Sequence, residues 1–391
     1  MNRAISAGGS GRSHHCIGAN PEGGLCYNHL LMRICLISVE IFAWGKYGGF
    51  GRATRLIGRE LVKRGVEVYA VVPRRNEQRP VEDLDGIRVL GFEPRDLRSA
   101  YRLLRDAQAD IYHSQEPSLG AYLALRAQPD RKHIITFRDP RDLENWRIEF
   151  RMPSLNSFQV ITNWLYEDNF LVGRAVHRAD GLFAASHLVA ERARGKYRLD
   201  RTPEFLPTPV DVPAEVQKAE QPTACLVSRW DRRKRPELFF ELARQFPEVR
   251  FLAAGKSRDP DYECSLREAY ERLPNLEMLG FIDQFNTNRL MRTLEKSWIL
   301  VNPAAREGLP NAYIEAAAHG CAILSAVDPD GFTSRFGYHV TDDDFASGLT
   351  ALLKDDRWRT LGEEARRYVS EVFATKRAID QHLAVYERTL G

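Results

Sequence analysis

From residue 32 onward, short unbroken apolar runs alternate with stretches of helical period. Residues 34–39 form the first run, and Ala53, Leu56, Ile57 and Leu61 fall on one face of a helix predicted over 52–64. Strands are predicted at 66–72, 87–90, 110–113 and 133–137, with helices at 97–107 and 119–127 between them. A strand buried on both faces reads as a continuous apolar run, so the pattern predicts a parallel sheet with helices on both sides. Residues 139–180 break the rhythm with Arg, Trp, Phe, Asn and Pro153, and read as a long loop. Alternation resumes with a strand at 181–185, a helix near 187–196 and a short strand at 205–206. Pro203, Pro207, Pro209 and Pro213 then mark a linker, because proline at that density continues neither helix nor central strand. A second series follows, with strands at 224–228, 249–253, 276–279, 298–301 and 322–324. Its helices are predicted at 236–245, 262–272, 286–295, 311–319, 345–353 and 358–388.

The pattern divides the chain into 1–31, 32–212 and 213–391. A length of 391 residues suits two domains at about 100–200 residues each. Residues 1–31 hold no apolar core of a signal sequence, and read as a poorly ordered leader or as an extension upstream of a start at Met32. A net charge of +3 argues against nucleic acid as a main partner. The charge is uneven: 29 Lys/Arg against 24 Asp/Glu from Arg33 to Asp211, and 25 against 28 in 212–391. That asymmetry fits ordinary solvated faces, or a first domain that meets an anionic acceptor or membrane surface. Six cysteines without a CxxC pair suit a reducing, cytoplasmic setting without structural zinc. His14, His15 and Cys16 lack further ligands at metal spacing and read as incidental.

Three segments carry candidate chemistry, each after a strand and before a helix, where doubly wound folds bind ligands. Gly48-Gly49-Phe50-Gly51-Arg52 offers a close backbone and a helix N-terminus suited to phosphate; glycines shaping a plain turn are the alternative. Arg229, Arg232, Arg233, Lys234 and Arg235 crowd one strand end, where Arg forks and the Lys point charge suit a diphosphate. The third segment runs from Arg306 to Gly320. In it Glu315 falls on a helix face otherwise made of Ala, Ile and Tyr, where a carboxylate needs a partner such as ligand hydroxyls. Glu307 lies eight residues earlier, beside free backbone N–H groups.

Glu307 to Glu315 resembles the E-x7-E motif of retaining glycosyltransferases of the GT-B fold, in particular family 4. Ser228-Arg229 to Lys234 resembles that family's donor-phosphate pair, Gly48-Gly49 its glycine loop, and Asp110 to His113 its DxxH strand end. Leu206 to Asp211 stands where the family has PNGVD. The resemblance implies an α/β protein of two Rossmann-like doubly wound domains facing a cleft, the first binding acceptor and the second a nucleotide sugar. It implies catalytic roles for Glu307, Arg229 and Lys234. Donor contacts would come from Gly49, Gly51, Arg138, Gly308, Leu309, Pro310, Asn311 and Glu315, with Glu315 on the ribose. No metal and no resident cofactor are implied, the nucleotide sugar being a co-substrate. The acceptor would be a hydroxyl of a glycan, lipid or small molecule, as in polysaccharide biosynthesis. The C-terminal helix is open to packing back on the first domain.

Arg138 stands where relatives carry histidine, Thr208-Pro209 replaces Asn-Gly, and Asn302 replaces a serine. These departures suit a divergent subgroup with an unusual acceptor. His113 is expected at the cleft. Asp328-Pro329-Asp330 resembles a DxD metal motif but falls in a turn, and Asp342 to Asp344 suit a helix N-terminus. Two rival functions remain: a nucleotide-sugar epimerase of the same architecture, and a non-catalytic glycan-binding relative. In 139–180, Arg141, Trp146, Arg147, Phe150, Arg151, Phe158, Trp164 and Phe170 mix cations with rings. They pack under a loop, or they build the acceptor side and touch a membrane surface.

Overall fold

The structure, a computed structural model, describes residues 32–45 and 47–391, so His14, His15 and Cys16 lie outside the described residues. The first sheet holds β1 (Arg33–Ile37), β2 (Glu67–Pro73), β3 (Val81–Leu84), β4 (Ile87–Phe92), β5 (Ile111–Ser114), β6 (Lys132–Phe137), β7 (Gly181–Ala184) and β8 (Glu204–Phe205). Their order is β3-β4-β2-β1-β5-β6-β7-β8, parallel except for β3. The second sheet, all parallel, holds β9 (Thr223–Val227), β10 (Arg250–Ala254), β11 (Leu276–Gly280), β12 (Ile299–Asn302), β13 (Ala322–Ser325) and β14 (Gly337–His339). Its order is β11-β10-β9-β12-β13-β14.

Helices α1 (Gly49–Lys63), α2 (Leu97–Asp106), α3 (Leu119–Ala127), α4 (Leu143–Arg151), α5 (Ser157–Glu167), α6 (Phe170–Arg178) and α7 (His187–Tyr197) belong to the first half. The second half adds α8 (Pro236–Gln245), α9 (Pro260–Tyr270), α10 (Arg289–Lys296), α11 (Asn311–Ala318), α12 (Phe332–Phe336), α13 (Phe345–Leu353), α14 (Arg357–Val372) and α15 (Thr375–Leu390).

The apolar runs have the physical basis expected of them. On β1, Ile34 and Leu36 join one core, whereas Cys35 and Ile37 join another on the opposite face. The second sheet repeats this, with Ala224 and Leu226 on one side and Cys225 on the other. Both domains are therefore three layers thick, and the strand carboxyl ends meet across a cleft.

Three expectations are corrected. Residues 139–180 are three helices, not a loop, and each starts on a side-chain cap. Asp142 accepts from Asn145 N (2.8 Å), Asn156 from Gln159 N (2.9 Å), and Asn169 from Leu171 N and Val172 N. The helix expected over 358–388 is two helices, α14 and α15. Between them Val210 of the linker donates to Phe373 O and accepts from Thr375 N, both at 2.9 Å. The two chain crossings between the domains are thus hydrogen-bonded to each other. Beyond this point α15 lies on the first sheet, where Ile379, Leu383 and Tyr386 share a core with Ile34 and Leu36. The third correction is His113, which is fully buried rather than at the cleft, held by Tyr386 Oη (2.8 Å) and Thr136 Oγ1 (2.7 Å). Burial, then His382 and Arg138, drives its pKa well below the usual range.

Candidate functional site

A cleft of about 500 Å³ lies between the domains and is lined from both. The second domain contributes the carboxyl ends of β9, β10 and β12 and the start of α11, as doubly wound topology dictates. Nine cations line the cleft (Arg52, Arg75, Arg138, Arg141, Arg229, Arg233, Lys234, Lys256, Arg258) against five acids (Glu40, Asp139, Glu149, Glu167, Glu307). The excess of positive charge favours an anionic guest.

Lys234 ends a 3₁₀ turn whose N-cap, Asp231, accepts from Lys234 N at 3.2 Å. Its ammonium forms an ion pair with Glu307, and both side chains are about 14% exposed. Arg229 stands 3.5 Å from Asp231 and is one-third exposed. Burial pushes the Asp231 carboxyl up, but Arg229, Arg233 and Lys234 outweigh it and hold it below the usual range. Gly308, Leu309, Pro310 and Asn311 all line the cleft, and no side chain caps the start of α11. Free N–H groups and the helix dipole therefore face the same space as the cations.

The glycine loop has a different role from the one expected. Gly49 lines the cleft, and its carbonyl accepts from Asn311 Nδ2 at 2.9 Å. Gly51 does not line it: a Cβ there would lie 2.9 Å from the backbone of Ile41 and Phe42. The anion at the start of α1 is internal, because Gly51 N donates to Glu40 Oε1 at 3.1 Å. Gly48 leaves room for that carboxylate, which a Cβ would meet at 1.9 Å.

Glu315 is mostly buried on α11 as its helix face requires, but its partner is Arg52 of α1, and it does not line the cleft. Arg138 is buried, with Nη1 donating to Thr208 Oγ1 (2.7 Å) and Nη2 to Gln115 Oε1 (2.6 Å). Burial lowers its pKa to about 10. Its two Nη atoms thus bond neutral groups of the first domain, while Arg138 still lines the cleft and its Nε has no partner among the described residues. Two of the departures from the family pattern, Arg138 and Thr208, are each other's partners. Asp330 accepts from His187 N (2.9 Å) and Leu188 N (2.6 Å), and Asp328 from Thr333 N (2.7 Å), so these acids cap helices. No group of three metal-ligating side chains occurs among the described residues.

Several cleft residues escaped sequence reasoning. Lys256 and Arg258 follow β10, and Arg75 follows β2; each could have been found by asking what stands after every parallel strand. Partial burial, then the like charge of Arg229, lowers the pKa of Arg258, a repulsion that an anion would relieve. Arg306, 3% exposed, fastens α4 to the loop before Glu307. It donates to Asn145 Oδ1 (2.6 Å) and Glu149 Oε1 (3.1 Å), and pairs with Asp139. Burial pushes the Asp139 carboxyl up, but Arg306, Arg141 and Arg233 prevail and hold it at about 2.

Two family models match: Glycosyltransferase Family 4 over residues 47–213, and Glycosyl transferases group 1 over residues 210–370. Among solved structures, sucrose-phosphate synthase from Thermosynechococcus elongatus is similar at 18% identity and a TM-score of 0.71, covering 91% of this chain and 98% of that one. Anabaena HepE in complex with UDP and glucose is similar at 14% identity and a TM-score of 0.70, covering 91% and 99%. The catalytic domain of starch synthase IV from Arabidopsis thaliana, bound to ADP and acarbose, gives 14% and 0.61, covering 92% and 99%. A search of curated proteins finds no match. At these identities the solved structures speak to the fold, while the two family models together run from residue 47 to residue 370. The chain belongs to the glycosyltransferases of family 4 type, with the GT-B fold.

Proposed function

We propose that the chain is a retaining glycosyltransferase that takes its sugar from a nucleoside diphosphate and needs no metal. One observation carries this: Arg229, Lys234 and the uncapped start of α11 converge on one wall of the cleft. A diphosphate leaving group gains negative charge as the glycosidic bond breaks, and fixed cations with free N–H groups stabilise it without a metal. Lys234 is paired with Glu307 and would exchange that carboxylate for the phosphate. Glu307 is then free for hydroxyls of the donor sugar. In the same way, ribose hydroxyls would take Glu315 from Arg52. The acceptor hydroxyl enters from the first domain, between α5 and the Gly49 loop. The UDP and glucose held by the similar Anabaena protein fit this assignment.

Thermal-shift screening against UDP-, GDP- and ADP-sugars tests it, followed by slow hydrolysis of whichever donor binds. A ligand at 100 times its Kd stabilises by about 2.7 kcal/mol. With roughly 2.1 cal/mol/K per residue over 391 residues, that is ~3 °C in Tm. A chain that no nucleotide sugar stabilises and that hydrolyses none overturns the proposal.

A further inference from the structure

Twelve large apolar side chains are exposed among the described residues, and eight of them fall between Leu143 and Phe170: seven on α4, α5 and the start of α6, and Leu155 between α4 and α5. Leu143, Phe158 and Phe170 are each about three-quarters exposed or more. Contiguous exposed apolar surface of this kind marks an interaction site.

Helix α5 shows the arrangement most clearly. Gln159, Thr162, Asn163 and Tyr166 recur at helical spacing and line the cleft. Phe158, Ile161 and Leu165 recur on the opposite side and face solvent. Apart from Val160, which is buried, the usual amphipathic order is inverted, with polar side chains turned to the protein's own cleft. Gln159 Oε1 is buried there without a partner among the described residues. On α4, Asn145, Trp146 and Glu149 point inward, whereas Leu143 and Phe150 share the outer side with Arg147 and Arg151. Trp146 is fixed by Asp168 at 2.7 Å, so it belongs to the platform and not to its surface.

The charge on these helices decides what the face meets. Four cations are exposed between residues 142 and 178 (Arg147, Arg151, Arg174, Arg178), against Asp142 and Glu144. None of the four cations forms an ion pair among the described residues. A second copy of the same face would set these cations against one another. Rings and aliphatic groups interleaved with unpaired arginines match the surface of an anionic bilayer, where apolar groups enter among the acyl chains and cations meet the headgroups.

We propose that the outer face of α4, α5 and the start of α6 docks on an anionic membrane surface. The cleft then opens beside the bilayer, because α5 forms both the docking face and part of the cleft wall. This inference takes from the proposed function only that the cleft is the site of transfer; the docking itself does not depend on it.

The test is sedimentation of the full chain with vesicles of phosphatidylcholine, with and without phosphatidylglycerol, and analytical ultracentrifugation without lipid. The chain should bind the mixed vesicles at low salt and be released at high salt. Phe158→Ser, Ile161→Ser and Leu165→Ser together should weaken vesicle binding about 10-fold or more, and leave the thermal shift with a nucleotide sugar intact. Should that variant fail to fold, Phe158→Ser and Phe170→Ser singly carry the same comparison. Wild-type chain that stays in the supernatant at low salt overturns the inference, as does a variant that sediments as well as wild type. A dimer abolished by the variant, without vesicle binding, assigns the face to a second copy and also overturns it. Vesicle binding by a chain that no nucleotide sugar stabilises supports the docking and counts against the proposed function alone.

Discussion

Arg306→Ala should unfold the chain at markedly lower denaturant, and the deficit should depend on pH. The guanidinium is buried and serves three groups of the first domain, Asn145, Asp139 and Glu149. Removing one partner of a buried ion pair costs about 3–5 kcal/mol, because the other charge is left without compensation. Arg233 stays 3.4 Å and Arg141 3.7 Å from Glu149, so the lower end applies, about 3 kcal/mol. Over 391 residues that is ~4 °C in Tm. Asp139 supplies the pH dependence. In the folded chain it titrates at about 2, below its ordinary value. Its stabilisation is therefore fully present above a pH of about 4 and is lost as pH falls through about 2. Without Arg306 the folded pKa rises toward the ordinary value, so the variant's deficit should be full at pH 7 and shrink by pH 3. Urea titrations followed by tryptophan fluorescence at both pH values measure it, with Arg306→Lys expected to fall between wild type and Ala. A deficit under ~1 kcal/mol at pH 7, or one of equal size at pH 7 and pH 3, refutes this account of the network.

Lys234→Ala and Arg229→Ala should each weaken nucleoside diphosphate binding and cut turnover by ~100-fold or more; wild-type kinetics in both would remove these residues from the donor site. Turnover should survive a chelator, and loss of activity in EDTA that magnesium or manganese restores would contradict the metal-free proposal. Gly255→Ala should lose about 2 kcal/mol or more, since this residue has φ +150° and a Cβ would lie 1.8 Å from Ser228 O; chemical denaturation reads the loss. Tyr386→Phe removes the 2.8 Å bond to His113 and should cost about 1 kcal/mol, measured the same way.

Most of the parallel strands, though not the three-residue β14, were legible because they are largely buried on both sides and need no partner pattern to be recognised. β3 was not: its sequence, Val-Glu-Asp-Leu, is an exposed antiparallel edge with no apolar run. The helices of 139–180 were hidden because α5 carries its apolar residues outward, against the rule that amphipathic faces point to a core. Their caps, Asp142, Asn156 and Asn169, were present in the sequence and were the better signal. Lys234, Arg229 and Glu307 could be placed from strand ends alone. The partner of Glu315 could not, because Arg52 is 263 residues away and meets it only when the domains face each other. Arg306 was read as a flank of a motif, and only its three contacts reveal it as a fastening between domains.

The return of α15 to the first sheet has a consequence for synthesis. Ile379, Leu383 and Tyr386 complete a core whose other members include residues of α1, β1, β2, β4, β5, β6 and β7. A nascent chain that has passed the linker at Pro213 still lacks that wall, so its leading half emerges with an apolar face uncovered. Domains made early usually settle first during translation. Here the later one can close while the earlier one waits, and the first sheet's domain reaches its final form only after α15 has been made.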